Sequence, residues 1–249
     1  MHYPSGLNTD TAESHQIGTH GLILPSEYPR LVNPQQNIVM FGIQGAGKGT
    51  HGEHRLVPRE KYSVFGASAE MKKHRLYSEA ESYIERGEMV PDHIVLTVLR
   101  EYLDVRNSVA SALMNGSQDE ALRTIFDGIP RKLSQFDPFD ELLAEYNRHP
   151  AVAVKLDISD DTARASIRNR GTRTGRSDDL DSVAVTNRLT AYHNETEPVI
   201  DRYASQNRLV IVNATPDVDY DDPETTEAQF QAAFEDVYKR VVHALNTRS

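Results

Sequence analysis

A short apolar run, Ile38-Val39-Met40-Phe41, ends directly in a glycine-rich turn, Gly42-Ile43-Gln44-Gly45-Ala46-Gly47-Lys48. Consecutive apolar residues without polar alternation fit a parallel strand covered on both faces. The turn has the G-x-x-x-x-G-K spacing of a phosphate cradle, and helical spacing follows it. Glycines allow successive backbone N–H groups to turn inward and approach phosphate oxygens where a side chain would obstruct them. The helix behind the turn points its positive end at the same place, and Lys48 supplies a mobile charge for the β- and γ-phosphates. Gly49 stands where such turns usually carry Ser or Thr, and Thr50 follows it.

Similar apolar runs recur at Tyr62 to Phe65, Arg123 to Phe126, Val152 to Leu156 and Leu209 to Val212. Helical spacing lies between them. Ile94, Val95, Val98, Leu99 and Tyr102 share one face behind Asp92, a good N-cap residue. Phe230, Phe234, Val237, Val241 and Leu245 share another. Strands separated by helices need crossover connections, so the pattern predicts an α/β fold of the P-loop NTPase type. Its centre is a five-stranded parallel sheet with helices on both faces. The domain is expected over residues 37–249. Residues 1–36, with Pro4, Pro25, Pro29 and Pro34 and no period, read as an irregular N-terminal extension. Asp217 to Glu224 reads as a surface loop, and His51 and His54 as exposed residues on the helix after the glycine turn.

With 249 residues the chain can bury a full core. A net charge of −10 argues against broad nucleic-acid or anionic-membrane binding. No apolar run approaches a membrane span, and no secretory signal is recognisable. The absence of cysteine excludes disulfides and cysteine-ligated zinc and fits a cytoplasmic setting. The ten histidines form no metal-binding pattern. An acidic total still permits a local phosphate site, and arginines cluster between Arg164 and Arg188. That cluster fits either a phosphate clamp or a solvated helix face.

Three motifs resemble those of the adenylate kinase (nucleoside monophosphate kinase) family. They are Gly45 to Thr50 (Gly-Ala-Gly-Lys-Gly-Thr), Asp127-Gly128-Ile129-Pro130-Arg131 with Gln135, and Arg170-Gly171 with Gly175-Arg176-Ser177-Asp178-Asp179, Arg188, Tyr192 and Pro198. The resemblance covers about Asn37 to Asn213 and implies transfer of the γ-phosphate of Mg·ATP to AMP. It implies that Gly45, Ala46, Gly47, Lys48, Gly49, Thr50 and Arg170 bind ATP, and that Asp127 orients Mg²⁺ through its waters. The implied acceptor site is Ala67, Lys72, Glu88, Met89, Val90, Gly128, Arg131, Gln135, Arg176 and Arg188, with Gln135 on the base. Lys48, Arg131, Arg170, Arg176 and Arg188 are the implied catalytic set. An acceptor-binding segment is expected at about 66–93. The lid, at about 171–179, is the short form without zinc, and Asp178 and Asp179 are expected to pair with its arginines. ATP and a nucleoside monophosphate are the expected partners of a monomer.

The match has departures. Ala67 stands where adenylate kinases usually carry threonine, and Lys72 where an arginine clasps the acceptor phosphate. Alanine there is a habit of relatives that phosphorylate UMP and CMP, whereas Gln135 points to AMP. Ser166 replaces an arginine often set against the ATP adenine, with Arg164 or Arg168 as substitutes. One extra residue separates Asp179 from Arg188. UMP/CMP kinase activity and a nucleotide-binding regulatory protein without transfer remain alternatives.

Overall fold

The structure is a computed structural model that describes residues 31–32, 37–86, 88–112, 122–175, 177–220, 222 and 224–248. Nearly all of the proposed N-terminal extension, together with Gly87 and Arg176, lies outside the described residues.

Five strands form one sheet: β1 (Asn37–Phe41), β2 (Ser63–Gly66), β3 (Thr124–Asp127), β4 (Val152–Asp157) and β5 (Leu209–Asn213). Their order is β2-β3-β1-β4-β5, and every pairing is parallel. The chain crosses from one side of β1 to the other between β3 and β4. Such a switch leaves a crevice at the carboxyl ends of the strands, where open α/β sheets bind ligands.

Alternation along β1 divides the core. Ile38 and Met40 face one layer, while Val39 and Phe41 face the other. Against the first pack Leu56, Ala163, Ile167, Leu189, Val237 and Val241. The helices involved are α7 (Asp160–Thr174), α9 (Ser182–Ala191) and α11 (Glu227–Asn246). The same layer takes the helix after the glycine turn, which runs from α1 (Lys48–His51) through a π-helical turn, Gly52–Leu56, into α2 (Val57–Glu60). The second layer is built by α5 (Asp92–Ala112), α6 (Leu133–Glu145) and α10 (Glu197–Ser205). There Leu99, Phe139 and Tyr203 are fully enclosed. The central strands β1, β3 and β4 are thus buried on both faces and read as apolar runs, whereas the edge strand β5 leaves Ile211 59% exposed.

Smaller helices stand near the strand ends. α3 (Ala67–Lys73) and α4 (Tyr77–Glu85) follow β2, and α8 (Ser177–Leu180) sits between α7 and α9. A second π-helical turn, Tyr192–Thr196, joins α9 to α10. No described helix is long and apolar enough to cross a membrane.

Candidate active site

The glycine turn leaves β1 beside β3, with Met40 paired to Asp127 in the register of the two strands. The turn ending in Lys48 and the turn from Asp127 to Arg131 therefore occupy neighbouring strand ends. Gly45 has φ +93°, and a Cβ there would lie 2.7 Å from the carbonyl oxygen of Ala163. Only glycine lets the turn rest this closely on the start of α7. Ser166 reinforces the contact by donating to the carbonyl of Gly45 at 3.0 Å. This serine thus supports the turn from behind. Arg164 reaches Thr186, 3.4 Å away.

Lys48 Nζ donates to the carbonyls of Gly42, at 2.8 Å, and Ile43, at 3.4 Å. Burial lowers its pKa; Asp127 opposes that effect, while Arg131 and Arg170 add to it. One lysine thus feels the acid of β3 and an arginine from each flank of the site. Asp127 Oδ1 is buried and has no hydrogen-bond partner among the described residues. A shielded acceptor with no donor is costly in a protein interior unless a ligand completes it. An oxygen-only donor of this kind suits a hydrated Mg²⁺.

Arg131 is exposed, and its guanidinium lies over Gly128. Gly128 has φ +91°, and a Cβ on it would meet Ala67 at 3.2 Å and the Arg131 guanidinium at 3.3 Å. The acceptor turn and the start of α3 therefore come together. Gln135 is buried, at 3% exposure, and its amide is engaged at both ends. Its Oε1 accepts from the N–H of Arg131 at 2.7 Å, and its Nε2 donates to Asp92 Oδ1 at 2.8 Å. Asp92 also accepts from Lys132 at 2.7 Å and Ser134 at 2.6 Å. Burial raises the pKa of this carboxyl, but the bonds from Lys132, Ser134 and Gln135 together bring it below its ordinary value. The sequence marks Asp92 only as a helix-start residue; its carboxylate in fact anchors the segment that follows Arg131.

On the other flank, Asp179 joins three elements. It takes a two-pronged contact from Arg170, at 2.7 and 3.0 Å, and a hydrogen bond from Gln44 of the glycine turn at 3.1 Å. Arg188 lies 3.6 Å away. The Asp179 side chain is wholly buried. Gly171 makes this packing possible, since a Cβ there would come within 2.8 Å of Leu180. Despite the extra residue before it, Arg188 thus reaches the same carboxylate as Arg170. The side chain of Asp178 lies outside the described residues, as does Arg176.

The remaining acceptor candidates are more dispersed. Lys72 stands exposed on α3, with no ion pair among the described residues. Glu88 is exposed and pairs with Arg86 at 2.8 Å, while Met89 and Val90 are half-buried. Ala46 is buried in the turn, Gly49 is exposed and Thr50 is half-buried.

The expectation of an exposed His51 is corrected: it is 1% exposed, whereas His54 is exposed. The helix after the glycine turn leans on α11, and the His51 ring meets that of Phe234 edge-on with centroids 6.2 Å apart. The same ring lies under Gly47, where a Cβ would meet it at 3.1 Å. Its Nδ1 is buried without a partner among the described residues. Burial, then Arg55 and Arg240, push its pKa down to about 3.

Fold and site together define a P-loop α/β nucleotide-binding protein. The adenylate kinase family profile matches residues 40–208. An adenylate kinase of Phocaeicola vulgatus is 34% identical over 179 residues, spanning 69% of this chain and 86% of that protein. One from Bacteroides thetaiotaomicron is 32% identical over 190 residues, spanning 74% and 92%. Adenylate kinase 1 of a Nostoc species is 31% identical over 180 residues, spanning 71% and 89%. The chain belongs to the adenylate kinase family, whose general activity is nucleotide phosphotransfer.

Proposed function

We propose that this chain transfers the γ-phosphate of Mg·ATP to a nucleoside monophosphate, with AMP as the preferred acceptor. The observation that carries the reading is the neighbouring position of the Lys48 and Asp127–Arg131 turns at the ends of β1 and β3. Amides of the glycine turn and Lys48 hold the donor phosphates, and Arg131 takes the acceptor phosphate. Arg170 and Arg188 lie poised on Asp179 to reach the transferring group, and Arg176 is assigned to the same task. The bond from the γ-phosphorus to ADP breaks as an acceptor phosphate oxygen bonds to that phosphorus. No general base is needed, because the acceptor phosphate is already an anion. Catalysis is then mostly positioned positive charge. Asp127 would hold Mg²⁺, which neutralises charge on the bound phosphates.

The acceptor-binding segment is proposed at about 66–93 and the lid at about 171–179. Gln135 supports AMP, although its amide already serves Arg131 and Asp92, leaving one N–H and one lone pair for a base. Ala67 and Lys72 favour the second reading, a UMP or CMP acceptor. A coupled assay of ADP formation with Mg·ATP and AMP, UMP or CMP decides between them. Fastest turnover with AMP supports the proposal, and a preference for UMP or CMP selects the second reading. No transfer to any of them leaves the regulatory alternative.

A further inference from the structure

The peptide of Arg131 is held from two directions. Its N–H donates to Gln135, on the helix that follows directly, and its carbonyl accepts from Thr196 Oγ1 at 3.2 Å. Thr196 is distant in sequence and buried, at 6% exposure. It ends the π-helical turn Tyr192–Thr196 and immediately precedes α10.

A threonine in front of a helix commonly caps it by accepting from a free amide of the first turn. Thr196 makes no such bond. Its φ and ψ, −93° and −36°, are already helical, and the Glu197 N–H that opens α10 donates to the Tyr192 carbonyl in the preceding turn. The hydroxyl donates to the Arg131 carbonyl instead. The π-helical turn contributes to this aim. One residue inserted into a helix rotates everything after it by about 100°, and such turns are frequent at functional sites. The same helical stretch carries Arg188 on α9. One rod therefore bears an arginine of the Asp179 cluster and grips the peptide of the acceptor arginine.

We infer that Thr196 is a positioning residue for the acceptor phosphate: its hydroxyl fixes the Arg131 peptide and hence the direction in which the Arg131 side chain leaves the turn. This rests on the reading of Arg131 as the acceptor-phosphate residue. Loss of one ordinary hydrogen bond corresponds to about a fivefold effect. A misplacement of about 1 Å costs up to about 100-fold.

Thr196→Val keeps the shape and removes the hydroxyl, and Thr196→Ser restores it. The measurement is kcat and KM for AMP and ATP separately, with thermal melting to verify folding. Thr196→Val should raise the KM for AMP and lower kcat/KM for AMP about fivefold or more, with the KM for ATP at the parent value and Thr196→Ser close to the parent. In an Arg131→Ala background, Thr196→Val should add nothing further. Unchanged AMP kinetics in Thr196→Val overturns the inference. So does equal damage from Val and Ser, or a loss shared by both substrates' KM values. If Arg131→Ala itself leaves AMP kinetics intact, it is the reading of Arg131 that has failed.

Discussion

His51 makes the chain's stability depend on pH in a way that one substitution removes. In the unfolded chain its pKa is about 6.5, but in the fold it drops to about 3, mainly through burial. Between these two values the unfolded chain carries a proton that the native protein refuses. Stability contributed by neutral His51 is therefore complete above pH 6.5, declines as pH falls and is gone below the folded value. The full span corresponds to about 5 kcal/mol. Between pH 7 and pH 5 the loss is about 2 kcal/mol, or about 4–8 °C in Tm for a chain of this size. Urea unfolding of the parent and of His51→Gln at both pH values tests this. Glutamine does not titrate, so the variant should lose about 2 kcal/mol less than the parent over that interval, whatever its stability at pH 7. His193 works in the opposite sense. Burial lowers its pKa, but the hydrogen bonds its ring donates to Glu197 and Asp160 raise it overall. Its contribution is present at low pH and fades as pH rises, and being common to both proteins it cancels in the comparison. Equal pH slopes for parent and variant would refute the argument.

Lys48→Met and Arg131→Ala should each lower ADP formation by on the order of 10²- to 10³-fold while the circular dichroism spectrum stays native. Near-parental rates in either variant remove that residue from its assigned role. Lys72→Arg should lower the KM for the monophosphate about fivefold, because a fork replaces a point charge at the phosphate; an unchanged KM separates Lys72 from the acceptor. Asp179→Asn should lower Tm by about 4 °C. This takes about 1–2 kcal/mol for a buried carboxylate whose main partner, Arg170, is 39% exposed and screened by solvent. An unaltered Tm would show that the cluster adds no stability.

The fold is legible because its central strands are covered on both sides and even the edge strand β5, with Ile211 exposed, is an unbroken apolar run. Each apolar run became a strand within about one residue: Ile38 to Phe41 lies within Asn37–Phe41, and Leu209 to Val212 within Leu209–Asn213. The helix faces read from Ile94, Val98 and Leu99, and from Val237, Val241 and Leu245, are buried. His51 was misread for a related reason. Its three-residue spacing from His54 says only that the two lie near one face, and burial at the first turn is decided by Phe234 on a helix far along the chain. The supports of the site likewise depend on partners distant in sequence. Asp92 grips Gln135, 43 residues on, and Thr196 grips Arg131 across 65 residues. Local periodicity carries no trace of such pairings. The glycine turn and the Asp127–Arg131 motif were visible because their chemistry is concentrated within a few consecutive residues.

The charge balance also resolves an apparent conflict. A chain of net charge −10 is assigned two polyanionic substrates. Exposed charges beyond about 8 Å are largely screened at physiological salt, so the field at the site is set by its near neighbours. Asp127 acts on Lys48, and Asp179 lies against Arg170 and Arg188. Asp127 has an oxygen suited to a hydrated cation, and Asp179 serves as counter-ion to two arginines that would otherwise repel each other. An arginine held by a carboxylate is already desolvated and oriented. Passing its fork to a phosphate exchanges one charge-assisted bond for another, at far smaller cost than collecting a hydrated side chain from solvent. Asp179 would therefore lower the barrier to assembling the transfer site by the same contacts that hold α7, α8 and the glycine turn together.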